Sequence, residues 1–226
     1  MCDRFDEFPN GGPKFLKKGA YPISTDAVLL ARFASRVNAG RICDLGCGSG
    51  VIASLLLWDR PGATALGIEL DEEAAETARI NAAENGLSGR FEIIRGDIRE
   101  HRALGMAGAF DLTVSNPPYY PAGSGKTSPE ASRALSRAEG ECSLKDVCAA
   151  AAYFTRWGGS FCVVQKPERL SEVLCTLTEV GLEPKRLRLA ESKPGKAPSL
   201  VFVEARRGGK PGLKFEPPII LETENK

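Results

Sequence analysis

Apolar and polar positions along this chain change period repeatedly, and the changes alternate. Short apolar runs bounded by glycine or polar residues read as strands: RICDL (41–45), TALGIEL (64–70), FEIIRG (91–96), FDLTVS (110–115) and SFCVVQ (160–165). Between them lie longer segments with helical periodicity: STDAVLLARFASR from Ser24, VIASLLLW (51–58), DEEAAETARINAAEN (71–85), SLKDVCAAAAYFTRW (143–157) and PERLSEVLCTLTEVG (167–181). The end signals agree with these bounds. Ser or Thr caps the first helix, acids fill the first turn of the third with Gly86 after it, and proline opens the last. Two further strands, PKRLRLAE (184–191) and SLVFVEAR (199–206), are joined by SKPGKAP, a Pro-, Gly- and Lys-rich link that suits a hairpin. No internal repeat is visible.

Strands that alternate with helices predict an α/β fold, with a mostly parallel sheet covered on both faces and a C-terminal antiparallel hairpin. The first 20 residues, rich in Gly, Pro and Lys, are expected to be mobile or loosely docked. Residues 21–206 then form the domain and 207–226 a tail. A length of 226 residues with 42% hydrophobic content is enough for one large domain with a sizeable core. No window of 18 apolar residues occurs, so no membrane span is expected. The N-terminus lacks the apolar stretch of a signal peptide, which points to the cytoplasm. The seven cysteines form no C-x-x-C pair and read as reduced thiols, several of them buried. The single histidine, His101, sits in the polar stretch DIREHR and reads as a solvated surface residue, so no metal is expected.

In sheets of this kind ligands bind beyond the carboxyl ends of the strands. After the first predicted strand comes DLGCGSG (44–50), whose Gly46, Gly48 and Gly50 let a ligand approach the backbone. Asp44 stands just before the turn, where a carboxylate can bind an ammonium. The glycine spacing is one residue shorter than the dinucleotide fingerprint. Glu69 ends the second strand, where a carboxylate can take both hydroxyls of a ribose. Asp97, in GDI, follows the third and can accept from an adenine amino group. Any one of these acids alone reads as a solvated loop residue; three at successive strand ends, with the glycine turn, point to a ligand site. The fourth strand ends in SNPPYY (115–120), where two prolines break it abruptly.

DLGCGSG, the Glu69 that ends GIEL, and GDI resemble the motifs of class I S-adenosylmethionine (SAM) methyltransferases. NPPY resembles the motif of those members that methylate amino groups: adenine N6, guanine N2 and glutamine N5. TDAVLLA before the glycine turn, NPPYY, and the ending KPGLKFEPPII further resemble the bacterial tRNA1(Val) adenine-37 N6-methyltransferases, over almost the whole chain. The resemblance implies a Rossmann-like, mostly parallel seven-stranded sheet with SAM as cofactor. It implies that Asp44, Gly46, Cys47, Gly48 and Gly50 lie under the methionine part. Glu69 would hold the ribose, Asp97 and Ile98 would border the adenine, and Thr25 and Asp26 would close over the methionine end.

The chemistry implied for NPPY has a physical reason. An exocyclic adenine amine is a poor nucleophile because its lone pair is delocalised into the ring. Two acceptors on its hydrogens hold it near the methyl group. The Asn116 side-chain oxygen and the Pro117 carbonyl can supply them, and Tyr119 can stack on the base. Asn116 thereby borders both cofactor and substrate. A rigid break holds the three groups at near-attack geometry. Tyr120 is expected to contact the base, line the pocket or only pack.

The loop PAGSGKTSPEASRALSRAEGE (121–141) contains GSGKTS but lacks the glycine five residues before Gly125, so it does not read as a phosphate-binding P-loop. Lys126, Arg133 and Arg137 are expected to meet phosphates there. A net charge of +1 is not the footprint of an autonomous RNA binder. Lys185, Arg186, Arg188, Arg206, Arg207, Lys210 and Lys214 supply local attraction if they share a face. The expected function is SAM-dependent N6-methylation of an adenosine in tRNA, the one 3′ of the anticodon. The alternatives are the same device acting on an rRNA base, a DNA adenine or a protein glutamine, a nicotinamide-nucleotide oxidoreductase, and a noncatalytic SAM- or RNA-binding protein.

Overall fold

The apolar runs build one central sheet flanked by helices. The computed structural model describes residues 5–9, 11–16, 23–119 and 142–221. A short N-terminal hairpin, β1 (Phe5–Glu7) and β2 (Lys14–Leu16), precedes α1 (Thr25–Ala34). Then follow β3 (Arg41–Leu45), α2 (Val51–Trp58), β4 (Thr64–Glu69), α3 (Glu72–Glu84), β5 (Phe91–Arg95) and β6 (Phe110–Ser115). After the undescribed segment come α4 (Leu144–Phe154), β7 (Thr155–Gln165), α5 (Leu170–Glu179), β8 (Leu182–Glu191) and β9 (Pro198–Arg207). The short strands β10 (Lys214–Phe215) and β11 (Ile219–Ile220) finish the fold. The order across the sheet is β5-β4-β3-β6-β7-β9-β8, with β10 and β11 both pairing the outer edge of β8. From β5 to β7 all neighbours are parallel, and β9 runs antiparallel between β7 and β8. The seven long strands match the expected architecture, and the two short ones raise the total to nine.

Period-2 alternation divides the core between the two faces. Ile42, Val114, Cys162, Val164 and Phe202 join Leu30, Phe33, Leu56 and Leu57 of α1 and α2. Cys43, Leu45, Phe161, Val163, Val201 and Val203 join Cys148, Phe154, Val173 and Leu177 of α4 and α5. The buried cysteines Cys43, Cys47, Cys148 and Cys162 act as small hydrophobes, and all six described cysteines are free thiols. Among the described residues no helix is long and apolar enough to cross a membrane.

Several elements depart from the sequence pattern. The helix expected over 143–157 stops at Phe154 because Thr155 turns extended and pairs with Phe110 across the sheet. Its buried hydroxyl lies 2.7 Å from that of Thr113, so β7 begins five residues before the expected 160. The helix expected from Pro167 opens with a 3-10 turn over Pro167–Arg169. His101 is not simply a solvated surface residue: its Nδ1 lies 3.0 Å from the Ile98 carbonyl and its ring packs 5.2 Å from that of Tyr153. Within the N-terminal 20 residues, the described hairpin is docked through buried Phe15, Asn81 of α3 and Asn85 at the C-terminal cap of that helix. Asn85 accepts from Lys14 N–H and donates to its carbonyl, both at 2.7 Å. Asn81 accepts from Leu16 N–H and donates to the Ser49 carbonyl, both at 2.9 Å, so one buried amide ties the hairpin to the glycine turn.

The late basic residues are largely engaged within the fold. Arg186 stacks on Phe33, 3.9 Å from its ring centroid, and its guanidinium reaches Glu204 at 2.7 Å, Glu216 at 3.4 Å and the Phe33 carbonyl at 2.9 Å. Lys185, Arg188, Arg206 and Arg207 each donate to a backbone carbonyl: those of Lys210, Pro217, Gly158 and Thr155. Pairing registers put Arg206 and Arg207 opposite Ser160 and Leu182, at the end of the sheet away from the carboxyl end of β6.

Arg186 is therefore a tether joining α1, β8, β9 and the C-terminal segment. Its side chain is only 13% exposed, and those of its partners Glu204 and Glu216 17% and 16%. Removing one member of a buried ion cluster costs about 3–5 kcal/mol, which for a domain of this size lowers Tm by roughly 6–20 °C. Arg186→Met is expected to show that loss in thermal unfolding while leaving the salt dependence of any nucleic-acid binding unchanged. A Tm within about 2 °C of wild type would remove the tether role.

Candidate active site

The glycine turn follows β3 because three residues there adopt left-handed backbone: Gly46 (φ 68°), Gly48 (φ 55°) and Gly50 (φ 77°). The amides of Gly46 and Cys47 donate to the Ile68 carbonyl at 2.8 and 3.2 Å, which pins the turn to β4. The glycines differ in what surrounds them. A Cβ on Gly50 would lie 2.9 Å from the Phe91 ring and 3.2 Å from Ala78 Cβ, so this glycine is needed for packing. A Cβ on Gly46 would meet nothing within 4 Å, so this side of the turn is open. Cys47 is buried with its sulfur against Gly67, where a Cβ would come within 2.7 Å.

Asp44 is fully buried beneath this turn. Gly50 stands at the N-cap of α2 with no side chain to offer, and Asp44 takes its place: Oδ2 accepts from Ala53 N–H at 3.2 Å. The other oxygen, Oδ1, is buried and has no partner among the described residues. Burial pushes the Asp44 carboxyl from 3.8 up to about 7; the Ala53 amide opposes the rise and the nearby Glu69 charge adds to it. An unsatisfied buried acceptor costs about 1–3 kcal/mol, a cost that an incoming donor removes.

Glu69 ends β4 and curls over the turn. Its Oε2 accepts from Gly48 N–H at 2.8 Å, and Oε1 from Leu70 and Asp71 N–H at 2.9 and 3.0 Å. Burial raises its pKa against the pull of those three amides. A carboxylate offers about four lone-pair sites, so three amide bonds leave room for one further donor. Asp97 follows β5 and caps a 3-10 turn over Ile98–Glu100. Arg99 pairs with it at 2.5–2.9 Å and holds its carboxyl below the usual range. Ile98 packs on the core beneath α4.

The NPPY turn lies beside the glycine turn because β6 pairs with β3, with Val114 opposite Asp44. Ser115 Oγ donates to the Leu45 carbonyl at 2.8 Å and locks the two strand ends together. Pro117 is buried and Pro118 exposed. The half-buried Tyr119 directs its hydroxyl back into the structure, donating to Asp26 Oδ2 and lying 3.1 Å from Asn116 Oδ1. Burial first, and then the Asp26 charge, raise the phenol pKa. Lys166 Nζ sits 4.8 Å from the Tyr119 ring centroid, and Arg169 Nη1 donates to the Tyr119 carbonyl at 2.9 Å. Arg169 is itself fixed by Glu172 at 2.7 and 2.8 Å.

At the start of α1 the cap is Ser24, whose Oγ accepts from Ala27 N–H at 3.2 Å, rather than Thr25. Thr25 is exposed, and Asp26 faces the NPPY turn through Tyr119. Tyr120, Lys126, Arg133 and Arg137 lie outside the described residues. Sequence reasoning missed Lys166 and Arg169, which follow β7; asking of the fifth strand what was asked of the first four would have found Lys166. It also missed Asn81, a mid-helix residue with no local signal. Two clefts, of about 420 and 310 Å³, open at the opposite pole, lined among others by Arg41, Phe91 and Phe110 and by Arg36, Arg156 and Arg206 respectively. Neither touches the glycine or NPPY turns.

Comparison with known proteins agrees with this geometry. The family model described as methyltransferase small domain matches residues 24–173. A tRNA1(Val) (adenine(37)-N6)-methyltransferase of Aeromonas hydrophila is 33% identical over 190 residues, covering 84% of this chain and 78% of the relative. An enzyme of the same name from Porphyromonas gingivalis is 33% identical over 193 residues, covering 83% and 75%. Among solved structures, a predicted O-methyltransferase from Agrobacterium tumefaciens superposes with a TM-score of 0.69 at 23% identity, covering 87% and 88%, which shows a shared fold. With a family match that takes in both strand-end turns, and a third of residues shared over most of both chains, this chain belongs to the methyltransferase small-domain family.

Proposed function

We propose that this chain transfers the methyl group of SAM to N6 of an adenosine in tRNA, the adenosine 3′ of the anticodon, in the cytoplasm. The observation that carries the chemistry is the pairing of β3 with β6, which sets Asn116 and Pro117 beside the open glycine turn. The names of the relatives support the substrate.

The residues present fit the cofactor. The orphaned, buried Asp44 Oδ1 suits an ammonium, the open face of Gly46 suits a chain lying close to the backbone, and the remaining acceptor site of Glu69 suits a ribose hydroxyl. Asp97 and Ile98, after the next strand outward, would border the adenine, with Asp97 already shared by Arg99. SAM, when bound, supplies a methyl group on a positively charged sulfur, ready to leave with its bonding electrons on that sulfur. Asn116 Oδ1 and the Pro117 carbonyl accept the two N–H bonds of the adenine amine, which orients the nitrogen lone pair toward the methyl group. The nitrogen forms the new N–C bond and releases one proton to water, so no strong base is required. Tyr119 offers its ring to the base, on the face that Lys166 does not cover or after Lys166 has moved onto a phosphate.

Asp44 gives the cofactor a pH signature. Its folded carboxyl titrates near 7 against an ordinary 3.8, so the ligand-free fold holds an extra proton between those values and loses stability as pH rises through them. An ammonium requires the ionised form. SAM affinity is therefore expected to rise with pH up to about 7 and level off above it, with proton release measurable by calorimetry in buffers of different ionisation enthalpy. Asp44→Asn should bind SAM more weakly and lose this dependence; a wild-type affinity flat from pH 5.5 to 8 would contradict the assignment.

Asn116→Ala is expected to slow single-turnover methyl transfer by about 10- to 1000-fold with SAM affinity changed far less. A rate near wild type at saturating substrate would remove Asn116 from the amine.

For the substrate, incubation with labelled SAM and unmodified tRNA should yield N6-methyladenosine, lost when the adenosine 3′ of the anticodon is replaced by guanosine. The rate at subsaturating tRNA should fall as salt rises. Methylation of rRNA or of a protein glutamine, with every unmodified tRNA untouched, would overturn the substrate and leave the amine chemistry standing.

A further inference from the structure

The phenol of Tyr119 carries one proton and faces two acceptors. Asp26 Oδ2 accepts its short hydrogen bond, and Asn116 Oδ1 lies 3.1 Å away. A single O–H serves both only as a three-centre bond weaker toward each, so one acceptor dominates. Asp26 stands in the first turn of α1, and a hydrogen bond to a carboxylate is roughly twice as strong as one to a neutral amide. The proton therefore belongs to Asp26. The phenol oxygen then turns lone pairs toward Asn116 Oδ1, acceptor against acceptor, and among the described residues the amide oxygen has no other donor. Arg169 on the Tyr119 carbonyl and Lys166 over its ring hold the residue in place, so the main freedom left to the hydroxyl is rotation about its C–O bond.

We infer that Asp26 is a positioning residue for methyl transfer: by claiming the Tyr119 proton it keeps Asn116 Oδ1 open for the substrate amine. This rests on the reading of Asn116 as the group that holds the amine. It differs from the role the sequence resemblance implies for Asp26, over the methionine end of the cofactor. Without the carboxylate the hydroxyl swings to Asn116 Oδ1 and occupies the acceptor that the amine needs. Tyr119 would then turn from a support of the site into its inhibitor.

The test is a double-mutant cycle read by single-turnover methylation, with SAM affinity by calorimetry and folding by thermal unfolding. Asp26→Ala should slow transfer by about 10- to 100-fold with SAM affinity within about threefold of wild type. Adding Tyr119→Phe to Asp26→Ala removes the misdirected hydroxyl and should recover at least about fivefold of the lost rate, a sign reversal that a merely structural loss does not produce. Asp26→Asn, which keeps an acceptor and the side-chain shape, should be faster than Asp26→Ala. A double variant no faster than Asp26→Ala, or a loss in Asp26→Ala that tracks weakened SAM binding, overturns the inference and returns Asp26 to the cofactor. If Asn116→Ala leaves the wild-type rate intact, the amine reading fails and the inference falls with it. If Asn116→Ala is slow and the rescue is absent, only the role of Asp26 is wrong.

Discussion

The site depends on β3 and β6 lying side by side and parallel. From β3 the chain crosses over α2 toward β4 and β5, and from β6 it crosses over α4 toward β7, in the opposite direction along the sheet. The two connections lie on opposite faces and diverge, which leaves a crevice at the carboxyl ends of the two central strands. Everything assigned to chemistry hangs from that edge. The glycine turn leaves β3, the NPPY turn leaves β6, and Ser115 bonds across to Leu45. Glu69 and Asp97 extend the same edge over the next two strands outward.

Within the crevice, charge is held at a cost to stability. Asp44 is buried with one oxygen capping α2 and the other unsatisfied. Glu69 lies close enough to push its titration upward. A core optimised for stability alone would not keep two carboxylates there. Sites that await a charged ligand commonly retain such strain and are relieved on binding. Backbone amides make the arrangement tolerable. Ala53 supports Asp44, and Gly48, Leu70 and Asp71 support Glu69, so the acids remain structural parts of the turns while keeping capacity for a ligand. Methyl transfer to a neutral amine needs placement rather than a strong base, which agrees with the acceptors proposed for it, Asn116 and the Pro117 carbonyl.

The distribution of cations follows a different logic from their count. Arg186, Arg188, Arg206 and Arg207 look in sequence like a basic stripe, yet each is tied to carboxylates or carbonyls of the fold. Lys166 and Arg169, isolated in sequence, stand at the carboxyl end of β7 against Tyr119. Strand alternation and antiparallel pairing sort consecutive basic residues onto opposite faces, so a run of charge in the chain is not a patch on the surface.

Local patterns by themselves determined most of the architecture. The alternation of strand and helix, the glycine turn after β3, the acids at the ends of β4 and β5, and the proline break after β6 are set by side-chain periodicity and backbone sterics over a few residues. These features are therefore readable without a structure. The end of α4 was misread because Thr155 is claimed by a sheet partner 45 residues away. The docking of the N-terminal hairpin was not legible, since it turns on Asn81 within α3 and Asn85 at its C-terminal cap, two ordinary-looking residues. Nor was the tie between Asp26 and Tyr119, which lie 93 residues apart and meet only because α1 packs against α2, β7 and β9 with its first turn toward the NPPY turn. Hydrogen-bond partners across such separations are chosen by packing of whole elements. The sequence alone therefore determined which residues stand at the strand ends, and the tertiary structure decided which side chains from elsewhere meet them.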